Sequence, residues 1–180
     1  MLDKAMIEKI LVAVDGSENS NRAVDVAAEL GVKLGAELHL VHVLMHGRPT
    51  PELMRMAEVE HIIQEVRPEE MSRADYSPRT YLETLKSDSD GSRIARVVTA
   101  IGEQVVARAE ARCSERDARV ATKSVRSGDC ADEILEAAGD YGVDLIVVGT
   151  RGLGRVRSAI LGSVSQKVLH NATCNVLLAV

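Results

Sequence analysis

The chain has 180 residues, of which 46% are hydrophobic and 27% charged, and this length and composition are typical of one soluble globular domain. A net charge of −5 and the lack of Phe and Trp argue against a general binder of nucleic acids or of anionic membranes. No apolar run reaches the ~20 residues of a membrane span, no signal peptide is recognisable, and Cys113, Cys130 and Cys174 form no C-x-x-C pair, so a reducing, cytoplasmic location is expected.

The first part of the chain predicts a strand–helix–strand unit. Residues 10–14 are all apolar and read as a buried first strand. Ser17 or Asn19 can cap the following helix, whose apolar residues recur at steps of three and four and whose end is marked by Gly35. Residues 38–44 form the next strand. Two buried strands joined by a helix predict a right-handed parallel unit.

The pattern breaks over residues 46–93. This segment contains a polar run at residues 87–92 and all four prolines of the chain, Pro49, Pro51, Pro68 and Pro78. We interpret it as an insertion into a single 180-residue domain, between the second strand and the second helix. An unknown protein partner could bind through it.

The regular alternation then resumes. The predicted elements are a helix at 94–113, a weaker strand at 120–125 that suits a sheet edge, a helix capped by Asp129 that ends near Gly142, a strand at 145–148, a helix from 163 to about 170, and a last strand at 175–180. Five strands alternating with four main helices predict an α/β fold with a doubly wound parallel sheet. Ligands of such sheets bind beyond the carboxyl ends of the strands, where the strand order reverses.

The loop after the fourth strand is rich in glycine and arginine, and a helix follows it. Glycines let main-chain N–H groups approach an oxyanion, and a helix start adds donors and a positive dipole end. Ser163 and Gln166 fit an S-x-x-Q capping box. The loop is no Walker A motif, because no Lys follows Gly162, and no Rossmann fingerprint, which would follow the first strand. The loop arginines, Arg151, Arg155 and Arg157, carry the charge that suits phosphate.

The spacing Gly149-x2-Gly152-x9-Gly162-Ser163 resembles the ATP-binding signature of the universal stress protein family, with every position filled. The resemblance covers residues 7–43 and roughly 94–180. It implies a five-stranded, Rossmann-like sheet of order 3-2-1-4-5, in which Asp15 and Gly149 border one crevice. The alternative is that these glycines are only turn and cap residues.

The resemblance also implies roles for individual residues. Adenine would lie against Ala13, Val14, Asp15 and Val43, the ribose beside Val148 and Gly149, and the phosphates against Gly152, Gly162, Ser163, Val164 and Ser165. Arg151 is either a phosphate contact or a solvated surface residue. Mg²⁺ or Mn²⁺ would bind through the phosphates, not in a protein cage.

No catalytic residue and no protein metal site is predicted. His39 and His42 lie three apart on a strand, so they face opposite sides and cannot jointly bind a metal; a structural role is the better interpretation. No Ser-His-Asp arrangement is recognisable.

Three functions are compatible with these features. The first is an ATP-binding stress-response protein, in which the nucleotide is a regulatory ligand and hydrolysis is at most slow. The second is an adenylating or ATP-pyrophosphate-cleaving enzyme, although the S-G-G-x-D-S loop of such enzymes is missing after the first strand. The third is a partner-binding module switched by ATP. A homodimer is expected through the apolar last strand, an edge with unpaired main-chain groups, and the resemblance implies the same interface.

Overall fold

The computed structural model describes residues 6–45, 92–152 and 161–180. In these ranges strands and helices alternate as β1 (Lys9–Ala13), α1 (Glu18–Leu34), β2 (Glu37–Met45), α2 (Ser92–Ser114), β3 (Val120–Gly128), α3 (Cys130–Tyr141), β4 (Leu145–Gly149), α4 (Ser163–Asn171) and β5 (Asn175–Ala179). The sequence predicts this order of elements correctly. The largest difference in bounds is at β3, which continues to Gly128, beyond the predicted end at Val125.

The five strands form one parallel sheet with the order β3-β2-β1-β4-β5. The predicted order 3-2-1-4-5 is therefore confirmed. β1 is the central strand: Val12 pairs with Leu40 of β2 on one side and with Val147 of β4 on the other. The strand order reverses between β1 and β4, so a crevice is expected at their carboxyl ends.

Helices cover both faces of the sheet. One buried cluster joins α1 and α2 to one face, with residues such as Val24, Ala27 and Val105, and we call it the α1–α2 core. A second cluster joins α3 and α4 to the opposite face, with residues such as Ile134 and Val168, and we call it the α3–α4 core. Both cores consist mainly of aliphatic side chains, as the lack of Phe and Trp requires.

The ends of α1 and the start of α3 follow the predicted capping residues. The Ser17 hydroxyl accepts the N–H of Ser20 at the start of α1, and the Asp129 carboxylate accepts the N–H groups of Ala131 and Asp132 at the start of α3. Gly35 ends α1 with a φ of 69°, a left-handed conformation that favours glycine. The predicted insertion at 46–93 lies outside the described residues, apart from the first two residues of α2, and remains a prediction.

Candidate functional site

The loops that follow β1 and β4 touch each other at the carboxyl edge of the sheet. A Cβ atom built on Gly152 would clash with Oδ2 of Asp15, so a larger residue there would require the carboxylate to shift. Asp15 follows β1 and Gly152 follows β4, the two strands between which the order reverses. The structure thus brings these two predicted site residues together.

Asp15 is held by the first turn of α1. Its Oδ1 accepts the main-chain N–H of Ser17 at 2.9 Å, which is an Asx turn, and its own N–H donates to the Ser20 hydroxyl at 3.0 Å. Oδ2 is the oxygen that faces Gly152. The turn at Ser17 and the approach of Gly152 therefore involve different oxygens of one carboxylate.

Gly149 is the last residue of β4 and is packed against the start of α1. A Cβ atom there would lie 2.9 Å from the main-chain carbon of Asn19 and 3.0 Å from its carbonyl oxygen. Thr150, which follows, is buried and donates its N–H to Ala179 of β5. The first residues of the glycine loop are thus fixed by contacts with α1 and β5.

The start of α4 differs from the prediction. Gly162 is the N-cap residue and Ser163 is the first helical residue, exposed and without a side-chain capping bond in the described part of the chain. The S-x-x-Q capping box is therefore wrong, because Ser163 stands one position too late to cap. The Gln166 N–H instead bonds to the carbonyl of Gly162 at 2.9 Å. The N–H groups of residues 163–165 then have no acceptor within the helix, as in every first turn.

Ser165 lies inside the site but its hydroxyl is already engaged. The side chain is buried and donates to the carbonyl of Gly149 at 2.7 Å. This bond fixes the first turn of α4 to the end of β4. For an anion at this helix start, Ser165 offers its main-chain N–H and not its hydroxyl proton.

An apolar wall stands beside the crevice. Four of the predicted site residues belong to the α3–α4 core or pack against it, namely Ala13, Val43, Val148 and Val164. Val14 does not: its side chain belongs to the α1–α2 core, on the other face of the sheet. Only the main chain of Val14 is thus available to a ligand on the α3–α4 side. The sequence alone could not show on which face of the sheet the Val14 side chain lies.

The remaining loop residues are described in part. Arg151 is exposed and directly precedes Gly152. Gly154, Arg155 and Arg157 lie outside the described residues. The proposed phosphate role of the arginines therefore concerns Arg151 alone at this point.

Sequence reasoning missed the link between α4 and the start of α3. Lys167, in the middle of α4, bonds to Asp129 at 3.1 Å and to Asp132 at 2.7 Å, so it ties α4 to the start of α3. Burial foremost, then the carboxylates of Asp129 and Asp15, raise the pKa of the Cys130 thiol. A capping Asp followed by Cys carries no sequence signal that points to this neighbourhood.

The two buried histidines of β2 face opposite sides of the sheet, as predicted. The His39 ring stacks on Tyr141 of α3, with 5.0 Å between ring centroids. The His42 ring instead lies against α2, where a Cβ atom on Gly102 would approach its Cδ2 to 2.9 Å. No group of three potential metal ligands occurs among the described residues, and His39 and His42 cannot share an ion.

His39 is expected to make stability depend on pH. Its Nε2 is buried without a hydrogen bond in the described part and lies 3.5 Å from Glu37 Oε1. Burial foremost, together with Lys9 and against the pull of Glu37, lowers the pKa of His39. The unfolded chain then takes up this proton at a higher pH than the folded chain, so stability is expected to fall as the pH drops from above 6.5 through the folded value.

Urea unfolding at about pH 7.5 and about pH 5.5 measures this effect. The His39→Phe variant keeps a ring against Tyr141 and cannot be protonated. It should lose less stability than the wild type between the two pH values. An equal loss in both proteins would contradict the assignment, since His42, whose pKa burial also lowers, is present in both.

No helix in the described ranges is long and apolar enough to cross a membrane.

Comparison with known proteins identifies the family. A model of the universal stress protein family matches residues 6–179. The universal stress protein YxiE of Bacillus subtilis is 31% identical over 173 residues, which cover 96% of this chain and 99% of that protein.

Solved structures of the family share the fold. A universal stress protein in complex with cAMP matches with a TM-score of 0.61 and 24% identity, over 98% of this chain and 99% of that one. A family member from Arabidopsis thaliana with AMP bound matches with a TM-score of 0.55 and 17% identity, over 95% of this chain and 90% of that one. From the family model and the curated relative together, the chain belongs to the universal stress protein family.

Proposed function

We propose that the crevice between β1 and β4 binds an adenine nucleotide, with ATP as the first candidate, and that the nucleotide is a regulatory ligand in a stress response. The observation that carries the proposal is the approach of Gly152 to Asp15 Oδ2. It brings a carboxylate from the β1 side against the glycine loop from the β4 side, in a crevice of the kind where parallel sheets bind ligands.

Each part of a nucleotide has a chemically suitable neighbour in this crevice. Asp15 Oδ2 can accept from a base or ribose donor, since Oδ1 is occupied by Ser17. The aliphatic wall of Ala13, Val43 and Val148 suits the face of adenine. The free first-turn N–H groups of α4 and its positive dipole end suit phosphate oxygens, and Mg²⁺ or Mn²⁺ would arrive with the phosphates.

The family members with bound nucleotides support the proposal. One is in complex with cAMP, another with AMP, and a third, from Archaeoglobus fulgidus, with dAMP. Adenine is common to all three ligands. We extend the adenine site to this chain on its own residues, because the resemblance to these structures concerns the fold.

Regulation is favoured over rapid turnover. Gly162 is followed by Ser163 and not by the Lys of a Walker A motif. A steady-state assay of ATP and pyrophosphate turnover separates a regulatory ligand from the substrate of an adenylating enzyme. Mass spectrometry of ligand released from the denatured protein identifies the nucleotide bound in cells.

The Asp15→Ala variant is expected to bind ATP more weakly while binding of inorganic triphosphate stays nearly the same. A lost hydrogen bond to a charged acceptor is worth about 1.5–3 kcal/mol, or about tenfold to 150-fold in affinity. Calorimetry with both ligands measures the difference. With free ATP at ~100 times its dissociation constant, the wild type should also gain about 2.7 kcal/mol of stability.

Asp15→Asn is the matched control. Its amide oxygen still accepts the N–H of Ser17, while an NH₂ group replaces the oxygen that faces Gly152. Asp15→Asn should therefore keep the stability that Asp15→Ala loses and still bind ATP weakly. Equal losses for ATP and triphosphate, or full ATP binding by Asp15→Asn, would overturn the role of this oxygen.

We also propose that two copies pair through β5. This strand ends the order β3-β2-β1-β4-β5, and Val176, Leu177 and Leu178 are only partly buried. The Asn175 N–H bonds to Asp144, and the Ala179 carbonyl accepts from Thr150. Main-chain groups alternate along a parallel ladder, so those of Val176 and Leu178 point away from β4. Edge pairing about a two-fold axis would use these groups.

Replacing Leu178 with proline is expected to give a folded monomer. Proline removes an N–H that points away from β4, so the β4–β5 ladder keeps its bonds while the edge loses a donor and gains a wedge. Leu178→Ala loses the same packing but keeps the N–H, and should remain a dimer. Sedimentation equilibrium at micromolar concentration decides: a monomeric wild type, or Leu178→Pro as dimeric as Leu178→Ala, excludes this interface.

A further inference from the structure

His42 is buried at the carboxyl end of β2 and is bonded to the chain segment that leads into the site. Its Nδ1 lies 2.7 Å from the carbonyl oxygen of Val14. A carbonyl oxygen only accepts, so Nδ1 carries the proton and donates it. In the sequence, His42 is recognisable only as a polar residue in an apolar strand, directly before the predicted site residue Val43. That pattern does not indicate this bond.

The α2 helix leaves room for this ring. Gly102 lies in the interior of α2, where a glycine is less favourable than alanine by about 0.5–1 kcal/mol. A Cβ atom there would come within 2.9 Å of His42 Cδ2 and of a methyl carbon of Leu44. Because Gly102 has no side chain, the imidazole packs against the helix backbone. This contact fixes the direction of its N–H.

The bond from His42 is one of two that hold a single peptide group. The Val14 carbonyl accepts from His42, and the N–H of the same peptide, which belongs to Asp15, donates to the Ser20 hydroxyl at 3.0 Å. Ser20 is itself buried in the first turn of α1. Both ends of the peptide between Val14 and Asp15 are therefore fixed, by β2 on one side and by α1 on the other.

We propose that His42 is a positioning residue for the nucleotide: by holding this peptide, it sets the direction in which Asp15 presents its Oδ2 to the ligand. This inference rests on the proposed function, since it explains how the base–ribose side of that site is kept in place. His42 touches no ligand itself. It acts through one main-chain group and hence through Asp15.

ATP titration of the full chain tests the proposal with two closely matched amides. The Asn amide nitrogen is attached to Cγ, as Nδ1 of His is, so His42→Asn keeps a donor near the Val14 carbonyl. His42→Gln moves the amide one bond further away. We expect His42→Gln to bind ATP about tenfold more weakly, the scale of one lost hydrogen bond, and His42→Asn to stay within about twofold of the wild type.

Ser20→Ala releases the other end of the same peptide and should also weaken ATP binding about tenfold. Either substitution releases the same peptide. The His42→Gln/Ser20→Ala double variant should therefore bind ATP no more weakly than whichever single variant has the lower affinity. His39→Gln is the control for a buried histidine on the opposite face of β2. It should lose stability and keep its ATP affinity.

The outcomes separate the inference from the proposed function. A wild type that binds no adenine nucleotide overturns both. A wild type that binds ATP, combined with equal losses in His42→Asn and His42→Gln or with losses that multiply in the double variant, overturns the positioning role alone. Thermal unfolding of each variant checks that titrations concern folded protein. If His42→Gln does not fold, Ser20→Ala must show the loss by itself, and full ATP affinity in that variant overturns the role.

Discussion

The Gly162→Val variant is expected to lose ATP binding and to keep its fold. Gly162 has φ −72° and ψ 156°, an extended conformation that any residue adopts. A Cβ atom there would lie 3.5 Å from Arg151 Cα and 3.5 Å from the Thr150 carbonyl oxygen, which is ordinary contact. The protein without ligand therefore has room for the first carbon of a side chain at this position.

The expected loss concerns the ligand. A side chain on Gly162 starts between the loop after β4 and the first turn of α4, where a phosphate would approach the main-chain N–H groups of residues 163–165. Valine adds two methyl groups and removes the open approach that glycine gives. Affinity for ATP should fall about 100-fold or more, and a 100-fold loss corresponds to about 2.8 kcal/mol of binding free energy.

Calorimetry measures this loss, and thermal unfolding measures the fold. Gly162→Ala is the matched control, because the alanine side chain has one carbon where valine has three. It should show an ATP affinity between those of the wild type and Gly162→Val. Equal ATP affinity in wild type and Gly162→Val would show that phosphate does not use this path. A large drop in unfolding temperature would show instead that Gly162 is needed by the fold.

The Gly149→Val variant is expected to lose stability whether or not a nucleotide is bound. A Cβ atom at Gly149 would stand 2.9 Å from the main-chain carbon of Asn19, and β4 is buried along its whole length, so the clash falls on main-chain atoms at the start of α1. Overpacking of this kind costs about 1–3 kcal/mol and occasionally more, and valine adds two further methyl groups. We expect about 3 kcal/mol, which lowers the unfolding temperature of a chain of this size by roughly 6–12 °C.

Gly139→Ala is the control for this prediction. Gly139 lies exposed in α3, and nothing stands within 4 Å of a Cβ atom built there. Alanine in a helix interior is favoured over glycine by roughly 0.5–1 kcal/mol, so this variant should gain stability. Urea unfolding should show a lower free energy of unfolding than the wild type for Gly149→Val and a higher one for Gly139→Ala. A Gly149→Val protein as stable as the wild type would mean that α1 can shift away from β4.

The sequence was sufficient for the fold because the signals for its elements are local. Strands β1 and β4 are short apolar runs buried on both faces, and Ser17 and Asp129 cap helices through bonds that span two or three residues. The strand order was not local information, since it came from the family resemblance. It is confirmed by the register of β1 between β2 and β4.

The details of the site depend on contacts between distant segments. Ser163 fits a capping pattern, yet Gly162 caps the helix, because the choice between two adjacent starts depends on how Gly162 bonds back to Thr150. The face on which Val14 lies, and the bond from His42 to its carbonyl, require the pairing of β1 with β2. No spacing along the chain encodes these contacts.

The central position of β1 has a consequence for how the chain folds. The Lys9 N–H at the start of β1 bonds to the carboxylate of Asp144, 135 residues further along, directly before β4. The central strand thus receives its second neighbour from a segment that is synthesised long after it. Until then one apolar edge of β1 stays open, and closing so long a loop is slow. Changes that weaken β4, such as Gly149→Val, therefore prolong the exposure of a central strand, which favours aggregation during folding.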